Sequence, residues 1–418
     1  MKIPFNAPLR KRLVVAGAMA LALTYVTFVT REFAAAWFGD RVDLASLERA
    51  ARLDPGNAEY RNRVGRYHEL IARDPVAAVH PYRDTVQLNP HSARYWFDLA
   101  RAYQVIGDTA NQTSALEHAI QADSMTPDVA WEAANLYLVR GENEKALREF
   151  RVVMANDPSL NTPAIQFCWR VEPDVDALLR DVVPARADAY LPFLTLLQSK
   201  QETAGAAKVW SALMQTRDPF ELRNVYEYFR YLILHKEVDQ AVLVWREAAN
   251  RFGLNAYLPA ANNMIVNGTF SQDVLNGGFD WQYQKQRSVT LTLDPSDFHA
   301  GRRSLLISFD GAGISDAGIY QLIPLQPNTA YEFSAYYKNG EMEGAGGPHF
   351  TIQDMYTQAV YYDSDDLREA GFWKSAGGDF TTGPDCKLVV LRVRRVPEGN
   401  PIRGKLWIDD FRLIKKPA

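Results

Sequence analysis

The residues with the most to offer chemically lie in the last third of the chain. Tyr361-Tyr362 run into Asp363, Asp365 and Asp366. Two carboxylates held at a set distance hydrolyse glycosidic bonds, and neighbouring aromatics would hold a sugar ring. Spacing alone does not place such a pair, and a solvated loop that binds a cation weakly explains these residues more simply. No other catalytic constellation stands out. The histidines His68, His80, His91, His118, His235, His299 and His349 fall in no HExxH or other metal spacing. There is no GxSxG elbow, no Walker A loop and no dinucleotide glycine fingerprint. We therefore expect no enzyme. Trp281, Tyr283, Tyr320, Tyr336, Tyr337, Tyr356, Tyr361, Tyr362 and Trp373 crowd this region, although most must pack a core. Alternation along Tyr331–Lys338 puts Tyr331, Phe333 and Tyr337 on one face and Glu332, Ser334, Tyr336 and Lys338 on the other. Arg392 and Arg394 share a face in the same way.

Strands must position these residues. From Asn262 the helical period vanishes and short β-rich runs alternate with turn residues. They are Ser288–Leu293, Ser304–Phe309, Gly318–Ile323, Thr329–Lys338, Phe350–Met355, Phe372–Phe380, Lys387–Arg394 and Lys405–Leu413. Closely spaced strands without helices between them predict a two-sheet sandwich or jelly roll over 262–418.

Three stretches sharpen the expectation: Asn267-Gly268-Thr269-Phe270 with Gly278-Phe279-Asp280-Trp281, then Leu325–Ser334, then Gly404–Leu413. In this order they resemble the galactose-binding-like jelly rolls among carbohydrate-binding modules attached to polysaccharide-degrading enzymes. The resemblance implies a structural calcium and glycan recognition, in which aromatic faces stack on pyranose rings and planar polar side chains bind hydroxyls; the glycan-binding candidates are Tyr336, Tyr361, Tyr362, Trp373, Arg392 and Arg394. The family places an acid after the opening Phe, where this chain has Ser271; Asp409 matches the family's Asp in the last strand, and Asp273 lies near enough to substitute for the missing acid. Calcium takes six to eight hard oxygens, and hydrogen bonds from turn amides would explain Asp409 equally well. In Trp407-Ile408-Asp409-Asp410-Phe411 apolar side chains flank a carboxylate pair on both faces, which predicts a central strand over Leu406–Leu413. A buried carboxylate is costly unless hydrogen-bonded or metal-bound. Asp409 is expected to point at Asn267–Asp273 and tie the first strand to the last, through calcium or backbone amides.

The stretch before the strands, 40–258, is helical and repeats. A small residue, a bulky one four later and a small or apolar one three after that recur as Ala146-Phe150-Val153, Ala206-Trp210-Leu213 and Ala241-Trp245-Ala248. Looser copies are Ala78-Tyr82-Thr85, Gln112-Leu116-Ala119 and Asp43-Leu47-Ala50. Offsets of four and seven make one stripe of a helix. A partner stripe precedes it, as in Trp96, Leu99-Ala100, Tyr103 and Gly107, or Ala133-Ala134, Tyr137 and Gly141. Gly107 and Gly141 suit left-handed turns, and Asp54-Pro55, Asn89-Pro90 and Asp157-Pro158 stop the second helices. The pattern resembles the tetratricopeptide repeat, well over 57–158 and weakly over 159–252. It departs at Gln112 and in the first repeat, which carries one extra residue before Ala78. A longer step between Ala146 and Ala206 would hold two shortened repeats, one degraded around Asp176. The resemblance implies a concave surface that binds a protein.

At the N-terminus Arg10-Lys11-Arg12 precedes a charge-free run from Leu13 to Thr30, which Arg31-Glu32 end. The run is long enough to cross a bilayer as a helix, and the basic cluster keeps the N-terminus inside. We expect 1–12 as a cytoplasmic basic tail, 13–30 as an uncleaved single-pass anchor in the inner (cytoplasmic) membrane, and the bulk of the chain periplasmic or extracellular. A cleaved signal peptide ending near Ala34-Ala35-Ala36 is the rival. The net charge of −4 over 418 residues argues against nucleic acid as a partner. Cys168 and Cys386 fall in different regions and read as two buried free thiols. The expected whole is a membrane-anchored, non-enzymatic scaffold in envelope or exported-polysaccharide assembly, with a protein and a polysaccharide as partners. The alternatives are an assembly factor whose jelly roll no longer binds sugar and, more distantly, a glycan-active enzyme.

Overall fold

The computed structural model describes residues 8–368 and 370–417, with side chains from Lys11 onward. Residues 1–7 of the expected basic tail, and the side chain of Arg10, lie outside the described residues. The chain forms two compact units, Met1–Phe193 and Leu194–Ala418.

The first unit is helical. It contains α1 (Pro8–Gly39), α2 (Leu44–Leu53), α3 (Ala58–Arg66), α4 (Pro75–Leu88), α5 (Ala93–Ile106), α6 (Thr109–Ala122), α7 (Pro127–Val139), α8 (Asn143–Asn156), α9 (Asn161–Val171) and α10 (Val175–Asp181). Helix α11 (Ala187–Ser199) spans the division between units, and α12 (Thr203–Gln215), α13 (Leu222–Leu234) and α14 (Val238–Phe252) open the second unit.

The repeat stripe is what the helices bury. Ala78, Tyr82, Thr85, Leu116, Ala119, Ala146, Phe150 and Val153 are inaccessible to solvent. A small residue at the contact lets two backbones approach while the aromatic fills the space beside it. Gly107 and Gly141 adopt φ of 79° and 72°, the left-handed geometry that lets α5 turn into α6 and α7 into α8. Asp54, Asn89 and Asp157 are C-caps of α2, α4 and α8, each followed by its proline. Asp43 departs from the expected stripe: it is exposed and caps α2, its carboxylate accepting the Ser46 N–H at 2.9 Å. The extra residue before Ala78 is absorbed by a π-helical turn, Tyr67–Ile71, that prolongs α3, as a one-residue insertion into a helix requires. The long step to Ala206 contains α9 to α12, with α10 only 7 residues long.

Helix α1 is long and apolar enough to cross a membrane, with a mean hydropathy of 2.0 over its apolar window. Leu13, Met19, Leu21, Leu23 and Phe28 are all exposed along it. Arg31 and Glu32 do not end the helix, which continues to Gly39 and packs on α2 with Ala35 fully buried.

The rest of the second unit is an antiparallel sandwich of two five-stranded sheets. Its strands are β1 (Gln282–Tyr283), β2 (Val289–Asp294), β3 (Ser304–Gly313), β4 (Asp316–Pro324), β5 (Ala330–Glu343), β6 (Pro348–Asp354), β7 (Val360–Asp363), β8 (Lys374–Thr381), β9 (Leu388–Arg395) and β10 (Pro401–Lys415). One sheet runs β1-β4-β9-β6-β7 and the other β2-β3-β10-β5-β8. The expected runs correspond to β2 to β6 and β8 to β10; β1 and β7 were too short to stand out. Strand β10 lies between β3 and β5, in the middle of its sheet. The opening and closing stretches meet in the core. Phe270, Trp281 and Phe411 pack together with Phe270–Trp281 and Trp281–Phe411 ring separations of 5.1 and 4.9 Å. Gly268 accepts the Phe411 N–H at 2.9 Å, and a Cβ at Gly268 would sit 2.3 Å from the Phe411 carbonyl oxygen. Both cysteines are buried free thiols, and burial pushes each up to about 12.

Candidate glycan-binding site

The sandwich has two outer faces, and the candidates divide between them. On the β2-β3-β10-β5-β8 sheet, Tyr336, Lys338 and Trp407 alternate with core residues such as Tyr337, Leu406 and Ile408 and therefore face outward. The 294–303 loop lies over them. The His299 ring stacks on Tyr336 at 3.6 Å. Asp297 receives the Trp373 indole N–H at 3.2 Å and the Lys338 ammonium at 2.6 Å, and Asp294 receives the Trp407 indole at 2.8 Å. Of the candidates here, Tyr336 has one ring face covered by His299, and Trp373 serves as a strut for the loop.

Asp409 and Asp410 sit beneath this loop at a bulge in β10, with Asp410 at φ 47°. Asp409 is fully buried. Its carboxylate accepts the His299 and Ala300 N–H groups at 2.8 Å each and the Asp410 N–H at 2.7 Å. Burial raises its pKa while these three amides oppose the rise. Asp409 thus ties the last strand to the 299–300 turn, a correction to the expected target at 267–273; the Gly268–Phe411 backbone pair makes the link to the domain opening. Asp273 is exposed and pairs with Arg303 at 2.7 Å. The groups facing the Asp409 carboxylate are N–H donors, not the hard oxygens that calcium gathers. Among the described residues no group of three or more acidic, histidine or cysteine side chains gathers in a metal-binding arrangement.

Tyr361 and Tyr362, on edge strand β7, close the side of the core. Tyr361 stacks on Phe380 at 6.0 Å, and its hydroxyl accepts the Gly383 N–H at 3.0 Å. Tyr362 packs on Phe333 at 5.0 Å. Both rings are half-buried. In the acidic loop His349 lies between Asp363 at 3.2 Å and Asp366 at 2.7 Å.

The outer face of the β1-β4-β9-β6-β7 sheet differs. Ala317, Ile319, Ile323, Val389, Leu391 and Val393 point into the core, so Tyr320, Leu322, Val390, Arg392 and Arg394 point away from it. Strand register aligns Gln282, Tyr320, Arg392, Thr351 and Asp363 in one row across all five strands. The Tyr320 hydroxyl donates to Gln282 Oε1 at 3.0 Å. The Arg392 guanidinium lies 6.0 Å from the Tyr320 ring centre and 3.9 Å from Asp316. Arg392 Nε and Thr351 Oγ1 are enclosed without a hydrogen-bond partner. Arg394 is spent on Glu398.

Helix α13 walls this face. Gly277 and Gly278 allow the approach: a Cβ at Gly277 would meet Tyr226 at 2.6 Å, and one at Gly278, where φ is 61°, would meet Trp245 of α14 at 2.4 Å. Phe279 packs edge-on against Phe229 at 4.9 Å, and the Tyr356 hydroxyl donates to the Ile233 carbonyl at 2.9 Å. Between α13 and the sheet remains a cavity of ≈ 590 Å³ lined by Tyr226, Arg230, Gln282, Gln284, Asp316, Tyr320 and Arg392, among others. A second hollow of ≈ 570 Å³, lined by Tyr283, Leu291, Leu293 and Leu305 among others, is more open and holds no arginine.

Sequence comparison places a family on this region. Residues 262–398 match the carbohydrate binding domain family CBM_4_9. Among solved structures, a CBM4 module is 17% identical, covering 36% of this chain and 99% of its own, with a TM-score of 0.29. The CBM22-1 xylan-binding domain from Paenibacillus barcinonensis is 14% identical, covering 36% and 93%, with a TM-score of 0.27. MamA is 21% identical, covering 38% of this chain and 88% of its own, with a TM-score of 0.29. No curated protein matches the chain. Arg392 alone among the six candidates lines the walled cavity. Tyr320 and Gln282, which also line it, do not stand out in the sequence because their strands are short or almost wholly buried, which leaves no alternation to read.

Proposed function

We propose that this chain is a membrane-anchored, non-enzymatic scaffold whose terminal sandwich recognises a glycan and whose helical repeats bind a protein, in envelope or exported-polysaccharide assembly. The observation that carries glycan recognition is the match of 262–398 to a carbohydrate binding domain, on a sandwich whose β4-β9 face keeps an aromatic, an arginine and amides around a cavity. Arg392 lines this cavity with its side chain 32% exposed, and ligand hydroxyls or carboxylates would accept from its guanidinium. The full chain in detergent, passed over immobilised polysaccharides, should be retained by at least one, and Tyr320→Ala should weaken retention. A chain retained by none would remove the glycan reading.

Tetratricopeptide-like packing is supported by the buried small–bulky–small stripe and the left-handed glycine turns. The anchor is supported by the exposed apolar length of α1. Ala34–Ala36 lie inside that helix with Ala35 buried, a poor substrate for a peptidase, which favours an uncleaved anchor with the N-terminus in the cytoplasm. A mature N-terminus near Ala36 would overturn it. The second reading is a protein–protein assembly factor without sugar binding. The covering of the β4-β9 face by α13 favours it, since this narrows access for a long polysaccharide. A glycan-active enzyme has less support, because His349 occupies the acidic loop.

A further inference from the structure

The cavity beside α13 carries more than a general affinity for sugar. Its charged lining consists of Arg230, Arg392 and Asp316, two cations against one carboxylate. Arg392 comes only within 3.9 Å of Asp316, beyond hydrogen-bonding distance, and its Nε has no partner although the protein encloses it. A guanidinium presents a planar fork of donors that matches a carboxylate, and although Nε is enclosed by protein, the Arg392 side chain remains 32% exposed at the cavity. Arg230 stands exposed on the opposite wall. Asp316 already accepts the Gly318 N–H at 2.6 Å; burial raises its pKa, and the Gly318 N–H and the two nearby arginines Arg392 and Arg394 oppose this. Between the arginines stand the Tyr320 ring and amides suited to hydroxyls. The acid on the Arg392 row, Asp363, lies at the far strand and is engaged by His349. The cavity volume falls within the range typical of small-ligand sites, roughly 300–1,000 Å³.

Resting on the glycan reading above, we propose that this cavity binds an acidic sugar, a uronate residue of a glycan, with Arg392 as the carboxylate fork and α13 supplying Arg230 and Tyr226 as the second wall. The site is then composite: sheet and helix both contribute, and neither alone completes it.

The test uses the full chain in detergent micelles. Calorimetric titrations with oligogalacturonate and oligomannuronate are compared with neutral oligosaccharides of galactan, xylan and β-glucan. We expect uronate binding to exceed neutral binding by about tenfold or more at low salt and to weaken as salt rises, as charge pairing at a partly open site requires. Arg392→Met should lower uronate affinity by about tenfold, and Arg392→Lys should not restore it, because an ammonium lacks the planar fork. Arg230→Met changes an exposed residue, so folding is not at stake, and should lower uronate affinity by roughly threefold. Equal or stronger binding of neutral sugars would overturn the acidic ligand while leaving glycan recognition intact. Binding to none of the five would overturn both. Folded Arg392→Met and Arg230→Met chains that bind uronate as the parent does would overturn the assigned site.

Discussion

The two outer faces of the sandwich carry similar residue types and do opposite things with them. Around β5 and β10, Tyr336, Trp373, Trp407 and Lys338 are all engaged, by His299, Asp297 and Asp294. Around β4 and β9, Tyr320 and Arg392 border a cavity, and part of the donor capacity of Arg392 is unused. The difference teaches that an abundance of aromatics does not mark a recognition surface. Burying polar groups is favourable only when they are paired, so a face that pairs its own groups is built for stability. One that leaves them unpaired is poised for a ligand.

The sharpest way to break the contrast is at Asp409. Asp409→Ala leaves the His299, Ala300 and Asp410 amides without their acceptor, which should cost roughly 3–5 kcal/mol in denaturant unfolding. The chain that remains folded should bind glycan as before. Because three amides already occupy this carboxylate, chelation should leave the melting temperature of the parent unchanged, and a fall of several degrees with EDTA would restore the calcium expectation.

Gly278→Ala attacks the other face. It forces a side chain into a left-handed backbone 2.4 Å from Trp245, a cost of about 2–3 kcal/mol. It should also weaken glycan binding, by displacing α13 from the sheet. Stability loss without a binding change would mean that the helix does not wall the site.

A pH series separates the faces less directly. Asp280 is fully buried beneath the Gly277–Gly278 turn, accepts the Leu275 N–H at 2.7 Å, and is raised by burial to about 6. A folded-state pKa above the unfolded 3.8 means that the folded chain holds the proton more tightly. The stabilisation is therefore complete below the unfolded value and is lost as pH rises through about 6. Raising pH from about 5 to 7.5 should lower the stability of the second unit by about 1–2 kcal/mol, a dependence that Asp280→Asn should flatten. The smallest effect is expected at Tyr336. Tyr336→Leu removes the stack on His299, worth about 1 kcal/mol, and glycan affinity should not move. A loss of binding there would shift the site to the other face.

Much of the architecture was legible in the chain alone, because periodicity reports which side of an element is buried. Ala146-Phe150-Val153 and its copies announced packed helical pairs, and the glycines and prolines marked their turns. The β-rich runs after Asn262 announced a sandwich, and the Asp409-Asp410 pair announced a buried carboxylate in a central strand. The candidate site was legible only at Arg392. Alternation says that Tyr336 and Arg392 each leave the core, but not what meets them there. The meeting of Tyr336 with His299, of Trp373 with Asp297, and of α13 with the β4-β9 face joins residues tens to more than a hundred positions apart. Such contacts are set by how elements stack and by what two glycines let approach. Local sequence encodes which face is apolar; only the tertiary structure decided which polar face is already satisfied and which still lacks a partner.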